Sequence, residues 1–340
     1  MTKPKLSICI ATYNRADCIG PTLQSIIAQA SNEIEIIILD GASTDATPDV
    51  VKRYESSFPG LRYFRMPQKG GVDQDYSKAV DFASGEYCWF MTDDDLLIPG
   101  GVDLVVEQLS KNYSLIVVNA EIRNQDFSKL YFSKRLRIEE NRIYQPEEFE
   151  KFFENTGDHL SFIGSVVIKK DIWDKRKKEP YFGSEFVHVG VIFQAPMPTP
   201  IIVLEKPVIS IRHGNHQWTP RAFEVFMVKW PKLIWSFQIF CTRSKEAITL
   251  RFPMQNKKKL LVARAFGFYS LKEYDSFIRN LKISIFDKKA ACLIALFPAV
   301  VINALAYFYY VLFRTDSQTV DDIKNSRYFF LKAVKFLKGV

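Results

Sequence analysis

The stretch Gly85-Glu86-Tyr87-Cys88-Trp89-Phe90-Met91-Thr92-Asp93-Asp94-Asp95 is an apolar run that leads straight into three consecutive carboxylates. The run predicts a strand. Three like charges at adjacent positions repel one another, and the cost falls when a divalent cation or hydrogen-bond donors are held among them. The stretch therefore predicts a ligand or metal site at the C-terminal end of a buried strand. The competing reading is a solvated acidic turn that caps a helix starting near Pro99.

Around this strand the first 120 residues alternate between strand-like and helix-like patterns, which predicts a parallel, doubly wound α/β sheet. Strands are expected at 6–11, 35–39, 61–65, 86–92 and 114–119. Ile19, Leu23, Ile26 and Ile27 recur at helical spacing, with Pro21 suited to a first turn. Asp45 is placed to cap a second helix that carries Val50, Val51 and Tyr54 inward. A third helix is expected over 75–84, and a fourth from Pro99 burying Val102, Val105, Val106 and Leu109. Beyond Asn119 the pattern is irregular, with a basic aromatic stretch at 130–144, a helix at 146–154, and strands at 164–169 and 207–212 that would extend the sheet. The first domain is expected to span 1–215. A helical region, 216–340, follows, with an aromatic segment at 223–240 and an apolar run at 290–313.

With 340 residues and 47% hydrophobic content the chain can bury a large core, and its net charge of +8 implies an anionic partner. No nucleic-acid-binding module is recognisable, so lipid head groups or phosphorylated ligands are the expected partners. Cys9, Cys18, Cys88, Cys241 and Cys292 form no CxxC pair and are read as reduced thiols.

Ligands of an open α/β sheet bind beyond the carboxyl ends of its strands. Three polar clusters are predicted to converge there: Thr12-Tyr13-Asn14-Arg15, Asp40-Gly41-Ala42-Ser43-Thr44-Asp45, and the acidic triplet. Transfer from a nucleoside diphosphate suits such an edge, because a cation held by one or two carboxylates neutralises a diphosphate leaving group. Asp95 is assigned to the metal and Asp94 to ribose hydroxyls or a metal-bound water. Asp93 is assigned to orienting the other two.

These clusters, followed by Ala83-Ser84-Gly85 and the Asp-x-Asp pattern, resemble the successive signatures of family 2 glycosyltransferases of the GT-A fold. Within that family Gly70-Gly71-Val72-Asp73-Gln74-Asp75-Tyr76 and Phe182-Gly183-Ser184-Glu185-Phe186-Val187-His188 are similar to the abequosyltransferase-like branch that builds O-antigen. The resemblance implies a nucleotide-sugar donor, Mn²⁺ or Mg²⁺, and inversion at the anomeric carbon. It places Thr12, Tyr13, Asn14 and Asp40 in the nucleotide-sugar site together with Asp93 and Asp94. It also makes Glu185 the general-base candidate, with Asp158 second. His213 and His216 are candidates to reach the metal. His188, Arg212, Trp218 and Arg221 are candidates to contact acceptor or diphosphate.

The run 290–313 carries no charge, contains Pro298 and Asn303, and is flanked by Lys288 and Lys289 before and Arg314 and Lys324 after. Basic residues on both sides oppose a single span under the positive-inside tendency. The expectation is a re-entrant or interfacial hairpin on the anionic inner leaflet, at the cytoplasmic face of a bacterial inner membrane. A true span and a buried helix are the alternatives. The sequence thus predicts an inverting, metal-dependent glycosyltransferase that adds a deoxy or dideoxy hexose to a polyprenyl-diphosphate-linked glycan. A polyprenyl-phosphate sugar synthase and a catalytically silent nucleotide-sugar-binding scaffold are the alternative functions.

Overall fold

Four strands meet edge to edge at the start of the chain: β1 (Leu6–Thr12), β2 (Ile34–Asp40), β3 (Leu61–Arg65) and β4 (Tyr87–Met91). They pair in parallel, and the register sets Thr12 opposite Asp40 and Ile10 opposite Met91. The polar residues that follow β1, β2 and β4 consequently emerge at one level of one edge. The structure is a computed structural model that describes residues 3–215, 217, 219–314 and 316–331.

The remaining strands are β5 (Leu96–Leu97), β6 (Leu115–Arg123), β7 (Leu130–Phe132), β8 (Arg142–Tyr144), β9 (Val166–Lys169) and β10 (Ile201–Arg212). Among the described residues they form one sheet in the order β3-β2-β1-β4-β9-β6-β10-β5, with β7 on β6 and β8 on β10. The sheet is mixed, which corrects the parallel expectation. β9 does not extend the edge; it lies between β4 and β6 and runs antiparallel to both. Val166, Val167 and Ile168 are wholly buried, as a strand with neighbours on each side requires, and the Trp89 indole donates to the Gly164 carbonyl at 2.9 Å to hold the approach. β10 starts well before the expected residue 207. Glu205-Lys206-Pro207 interrupts its apolar pattern where the register with β6 shifts, the position at which a sheet tolerates proline.

The helices that cover the sheet follow from their apolar spacing. α1 (Ile19–Ile27) buries Ile19, Leu23 and Ile26, and α2 (Thr47–Glu55) buries Val50 and Val51. Asp45 satisfies the Thr47 amide at the start of α2, at 3.0 Å. α3 (Val72–Phe82) begins earlier than the expected residue 75, directly after Gly71, whose φ of 107° suits glycine. α4 (Gly101–Leu109), α5 (Phe149–Thr156), α6 (Lys170–Lys175) and α7 (Val187–Phe193) complete the covering layers.

The chain divides into two compact units, Met1–Asn215 with Phe237–Ile248, and His216–Ser236 with Thr249–Val340. The return of 237–248 to the first unit is not anticipated by a boundary at 215. Aromatic packing accounts for it: Phe240 stacks on Phe153 at 3.8 Å and meets Phe149 and Phe193, while the Glu150 carboxylate accepts from the Cys241 amide and the Ser244 hydroxyl. The second unit is helical around Phe223, Leu260, Tyr269, Tyr274 and Ile278. Within it the run expected at 290–313 is two helices, Ile285–Leu296 and Ala299–Phe313, bent by 94° at Phe297-Pro298.

Candidate active site

Side chains of the β2 loop hold the loop after β1 in place. The Asn14 amide donates to Ser43 Oγ at 2.9 Å, the Arg15 amide to Thr47 Oγ1 at 2.8 Å, and the Ala16 amide to Asp45 Oδ2 at 3.1 Å. In return Asn14 Oδ1 accepts from the Thr44 amide at 2.7 Å. Asn14 has φ 52°, a left-handed conformation that asparagine tolerates better than most residues. These bonds fix the direction of Arg15. Its guanidinium lies 3.3 Å from Asp93 and 3.2 Å from Asp94, and donates to the Asn215 carbonyl at 3.0 Å.

Arg212, at the end of β10, approaches the triplet from its other side. Its amide donates to Asp95 Oδ1 at 2.7 Å and its Nε to the Asp94 carbonyl at 2.8 Å. Asp95 Oδ2 accepts from the Thr92 hydroxyl at 2.5 Å, so both Asp95 oxygens are engaged within the protein and the residue is 2% exposed. Asp93 and Asp94 are the members that a ligand reaches more directly. Burial, together with repulsion from Asp94, pushes the Asp93 carboxyl up to about 7 against the opposing pull of Arg15. Burial and the neighbouring Asp95 carry Asp94 to about 7, and burial carries Asp95 to about 6. Burial thus makes the three carboxyl groups easier to protonate than free aspartates, in spite of the two arginines.

Adjacent hard oxygen donors fit a divalent cation that a substrate diphosphate would help to ligate. Among the described residues no three His, Cys, Asp or Glu side chains already stand together as a ligand set.

Asp40 was expected in the nucleotide-sugar site. The structure places it wholly buried, with Oδ1 accepting from the Ser43 amide at 2.7 Å and Oδ2 from the Tyr63 hydroxyl at 2.5 Å. It braces its loop. Lys69 Nζ lies 3.7 Å from the centre of the Tyr13 ring. Two acids that the sequence analysis gave no role, Asp73 and Asp75, lie in the first turn of α3 and are buried. Their signal was two acids spaced by one residue just after Gly70-Gly71-Val72.

Asp73 accepts from the backbone amides of Glu185 and Val187, each at 2.9 Å. Glu185 itself has φ 72° and Gly183 φ 84°, so the base candidate stands in a left-handed turn. A glutamate in that region costs roughly 1–3 kcal/mol unless its surroundings hold it, and such strain concentrates at functional sites. Asp158, the second base candidate, is exposed, and its carbonyl accepts from the Ser161 hydroxyl.

His188 is not at an acceptor or diphosphate surface. It is 1% exposed inside α7 with Nε2 2.8 Å from the Leu160 carbonyl, because every residue of this short apolar helix is buried. Burial lowers its pKa to about 4. The His213 amide donates to the Arg123 carbonyl and its ring meets Tyr131 edge-on at 5.8 Å. Arg221 belongs to the second unit, in the turn Thr219–Arg221. His216 and Trp218 lie outside the described residues.

Known proteins resemble the chain in sequence and in fold. The pattern of glycosyl transferase family 2 matches residues 7–171. Abequosyltransferase RfbV of Salmonella typhimurium is 29% identical over 233 residues, 64% of this chain and 69% of that protein. GalNAc(5)-diNAcBac-PP-undecaprenol beta-1,3-glucosyltransferase of Campylobacter jejuni is 29% identical over 185 residues, 54% of this chain and 57% of that protein. Among solved structures, residues 1-349 of S. aureus TarS in complex with UDP superpose with a TM-score of 0.53 at 15% identity, covering 99% of this chain and 92% of that one. Mannosyltransferase PcManGT from Pyrobaculum calidifontis, in complex with GDP-Man and Mn2+, gives 0.54 at 15% identity, covering 99% and 88%. These superpositions identify a mixed α/β, GT-A-like fold. With the strand-end polar loops and the acidic triplet in the region that the pattern matches, the chain carries a glycosyl transferase family 2 domain and is a glycosyltransferase.

Proposed function

We propose that the protein transfers one sugar, with inversion, from a nucleoside-diphosphate donor to a glycan carried on a polyprenyl diphosphate, as a step in bacterial surface-polysaccharide or O-antigen synthesis. The observation that carries this reading is the triplet Asp93-Asp94-Asp95, three adjacent carboxyl groups at the strand ends that Arg15 and Arg212 approach from two sides. Asp95 would hold Mn²⁺ or Mg²⁺ through the lone pairs its bonds to Thr92 and the Arg212 amide leave over, and Asp94 the ribose hydroxyls or a metal-bound water, with Asp93 beside them. The ion supplies charge neutralisation for the departing diphosphate. Glu185 accepts the proton of the acceptor hydroxyl while that oxygen bonds to the anomeric carbon and the bond to the diphosphate breaks. The class of sugar, a deoxy or dideoxy hexose, follows from the relationship to an abequosyltransferase, and the acceptor class from the undecaprenol-linked substrate in the name of the Campylobacter relative.

The reading includes attachment at the cytoplasmic face of the inner membrane through the bent helix pair. Among the described residues no single helix is long and apolar enough to cross a bilayer. A helix of 15 residues is about 22 Å long, short of the roughly 30 Å hydrocarbon core. One face of Ala299–Phe313 packs inward, where Asn303 Nδ2 donates to the carbonyls of Ala265 and Ile323 at 2.9 and 3.2 Å. Val301, Leu305, Phe308 and Leu312 recur at helical spacing and are exposed, as are Phe286, Leu293 and Phe313. Lys288, Lys289, Arg314 and Lys324 flank this apolar surface and suit anionic lipid head groups.

The test is release of nucleoside diphosphate from candidate nucleotide sugars, with Mn²⁺ or with chelator, in the presence of either a lipid-diphosphate oligosaccharide or free polyprenyl phosphate. Metal-dependent release that requires the oligosaccharide is the expected result. Equal release with polyprenyl phosphate would replace the acceptor class, and full turnover with chelator would remove the metal.

A further inference from the structure

The tip of the β6–β7 hairpin is built on a residue that its backbone disfavours. Residues 124–127 form a turn in which the Phe127 amide donates to the Asn124 carbonyl at 3.1 Å, and Phe127 itself has φ 62°. Hairpins give such a left-handed position to glycine or asparagine, and a bulky side chain there persists only when its surroundings hold it. Two arginines hold this one. Arg123 Nη1 donates to the Phe127 carbonyl at 3.2 Å, while its Nε is fixed at 2.5 Å by Glu121, which also accepts from the Ser210 hydroxyl of β10. Arg212, the register partner of Arg123 on β10, lays its guanidinium 4.5 Å from the centre of the Phe127 ring and donates from Nη1 to the Gln125 carbonyl at 3.0 Å. The same guanidinium donates from Nε to the Asp94 carbonyl at 2.8 Å, so the hairpin tip is tied directly to the acidic triplet. Arg212 is half-buried, and its Nη2 makes no hydrogen bond among the described residues.

We infer that Phe127 is a positioning residue: the hairpin tip holds the Arg212 guanidinium beside Asp94, where its Nη2 binds an oxygen of the donor's diphosphate. This assignment rests on the nucleoside-diphosphate reading of the site and deepens it. A planar guanidinium suits phosphate oxygens, but an arginine side chain that is ordered only when the ligand arrives spends part of that binding on lost rotamer freedom. The ring face of Phe127 and the carbonyls of Gln125 and Asp94 order it beforehand. The aromatic residue then has a reason to stand where glycine would relieve the backbone. Glycine would leave the turn intact and take away the surface on which Arg212 rests.

The experiment is calorimetric titration of the full-length protein with CDP, GDP, UDP and dTDP in the presence of Mn²⁺, after which the tightest of the four is carried through the variants. Phe127→Gly suits the left-handed backbone, so its melting temperature should stay within a few degrees of wild type. Its affinity for the nucleotide should nevertheless fall about fivefold or more, the scale of a partly desolvated cation–ring contact. Phe127→Asn, which also tolerates that backbone, should repeat the loss and keeps the test open if glycine loosens the tip. Phe127→Tyr retains the ring face and should bind within about twofold of wild type. Arg212→Ala should weaken binding at least as much as Phe127→Gly, and the double variant should be no weaker than Arg212→Ala alone, because both changes act through one guanidinium. Folded Phe127→Gly and Phe127→Asn proteins that bind as tightly as wild type, or losses that multiply in the double variant, overturn the positioning role alone. Wild-type affinity in Arg212→Ala does the same. Failure of the folded wild type to bind any of the four nucleotides overturns the donor site and the positioning role together.

Discussion

Asp73 accepts from the backbone amide of Glu185 at 2.9 Å across a sequence separation of 112 residues, and so ties the first turn of α3 to the turn that carries the base candidate. The same carboxylate receives the Val187 amide at 2.9 Å. It holds Glu185 at a φ of 72° that an isolated glutamate would leave. Asp73→Ala should therefore release the turn without touching the acidic triplet. Steady-state kinetics are expected to show kcat down by roughly tenfold or more with the donor KM within about twofold, the pattern of a misplaced general base. A KM effect with unchanged kcat would make Asp73 a donor-site residue instead.

Arg15 is the cation shared by Asp93 and Asp94, and its side chain is 12% exposed. Removing one partner of a buried ionic cluster leaves uncompensated charge, at a cost of about 3–5 kcal/mol for a fully buried pair and less here because the arginine retains some solvent. Arg15→Ala should lower urea-unfolding stability in chelator and regain part of the loss when Mn²⁺ and nucleoside diphosphate are added. Identical losses with and without metal would mean that the two cations do not share the acidic cluster.

His159 and His188 give the fold an acid-sensitive component. Burial lowers His159 to about 3, with Arg135 adding to the effect, and lowers His188 to about 4. An unfolded chain protonates histidine near 6.5, so between these values the unfolded state binds more protons and stability falls as the pH falls. The melting temperature should drop on acidification from about pH 6.5 to 4, and His188→Gln should flatten that slope even if it lowers the melting temperature overall. Curves that run parallel for wild type and variant would assign the acid sensitivity to other groups.

The strand ends were legible because parallel strands with continuous apolar runs announce themselves, and their register carries the following loops to one edge. The Thr12, Asp40 and Asp93 clusters meet for that reason. The central place of β9 was not legible: four residues, Val166–Lys169, carry no information about which two strands they will separate. Side-chain occupancy was equally hidden. Asp40 reads as a ligand-facing acid at a strand end, and only the fold brings the Tyr63 hydroxyl and the Ser43 amide onto its oxygens. His188 misled because a polar residue in a chemistry-rich motif looks functional until its helix proves buried on every side.

The outer face of Ala299–Phe313 can be tested apart from its inner one. Asn303 pins the inner face through Ala265 and Ile323, so changes confined to the outer stripe should leave the second unit folded. Leu305 is 65% exposed, Leu312 67% and Phe313 73%, and together with Phe286 at 81% they present an apolar surface that water disfavours. Replacing these four with serine removes apolar area that would otherwise enter the acyl boundary, at roughly 25 cal/mol per Å². The quadruple variant is expected to lose cosedimentation with vesicles containing phosphatidylglycerol, while its melting temperature stays within a few degrees of wild type. It should also lose more turnover on a lipid-linked acceptor than on a short soluble analogue. Wild-type protein that ignores anionic vesicles, or a variant that binds them as well as wild type does, would remove the membrane from the function. Loss of folding on Asn303→Leu, by contrast, would report only on the inner face, since that change removes the two hydrogen bonds that hold the helix to its neighbours.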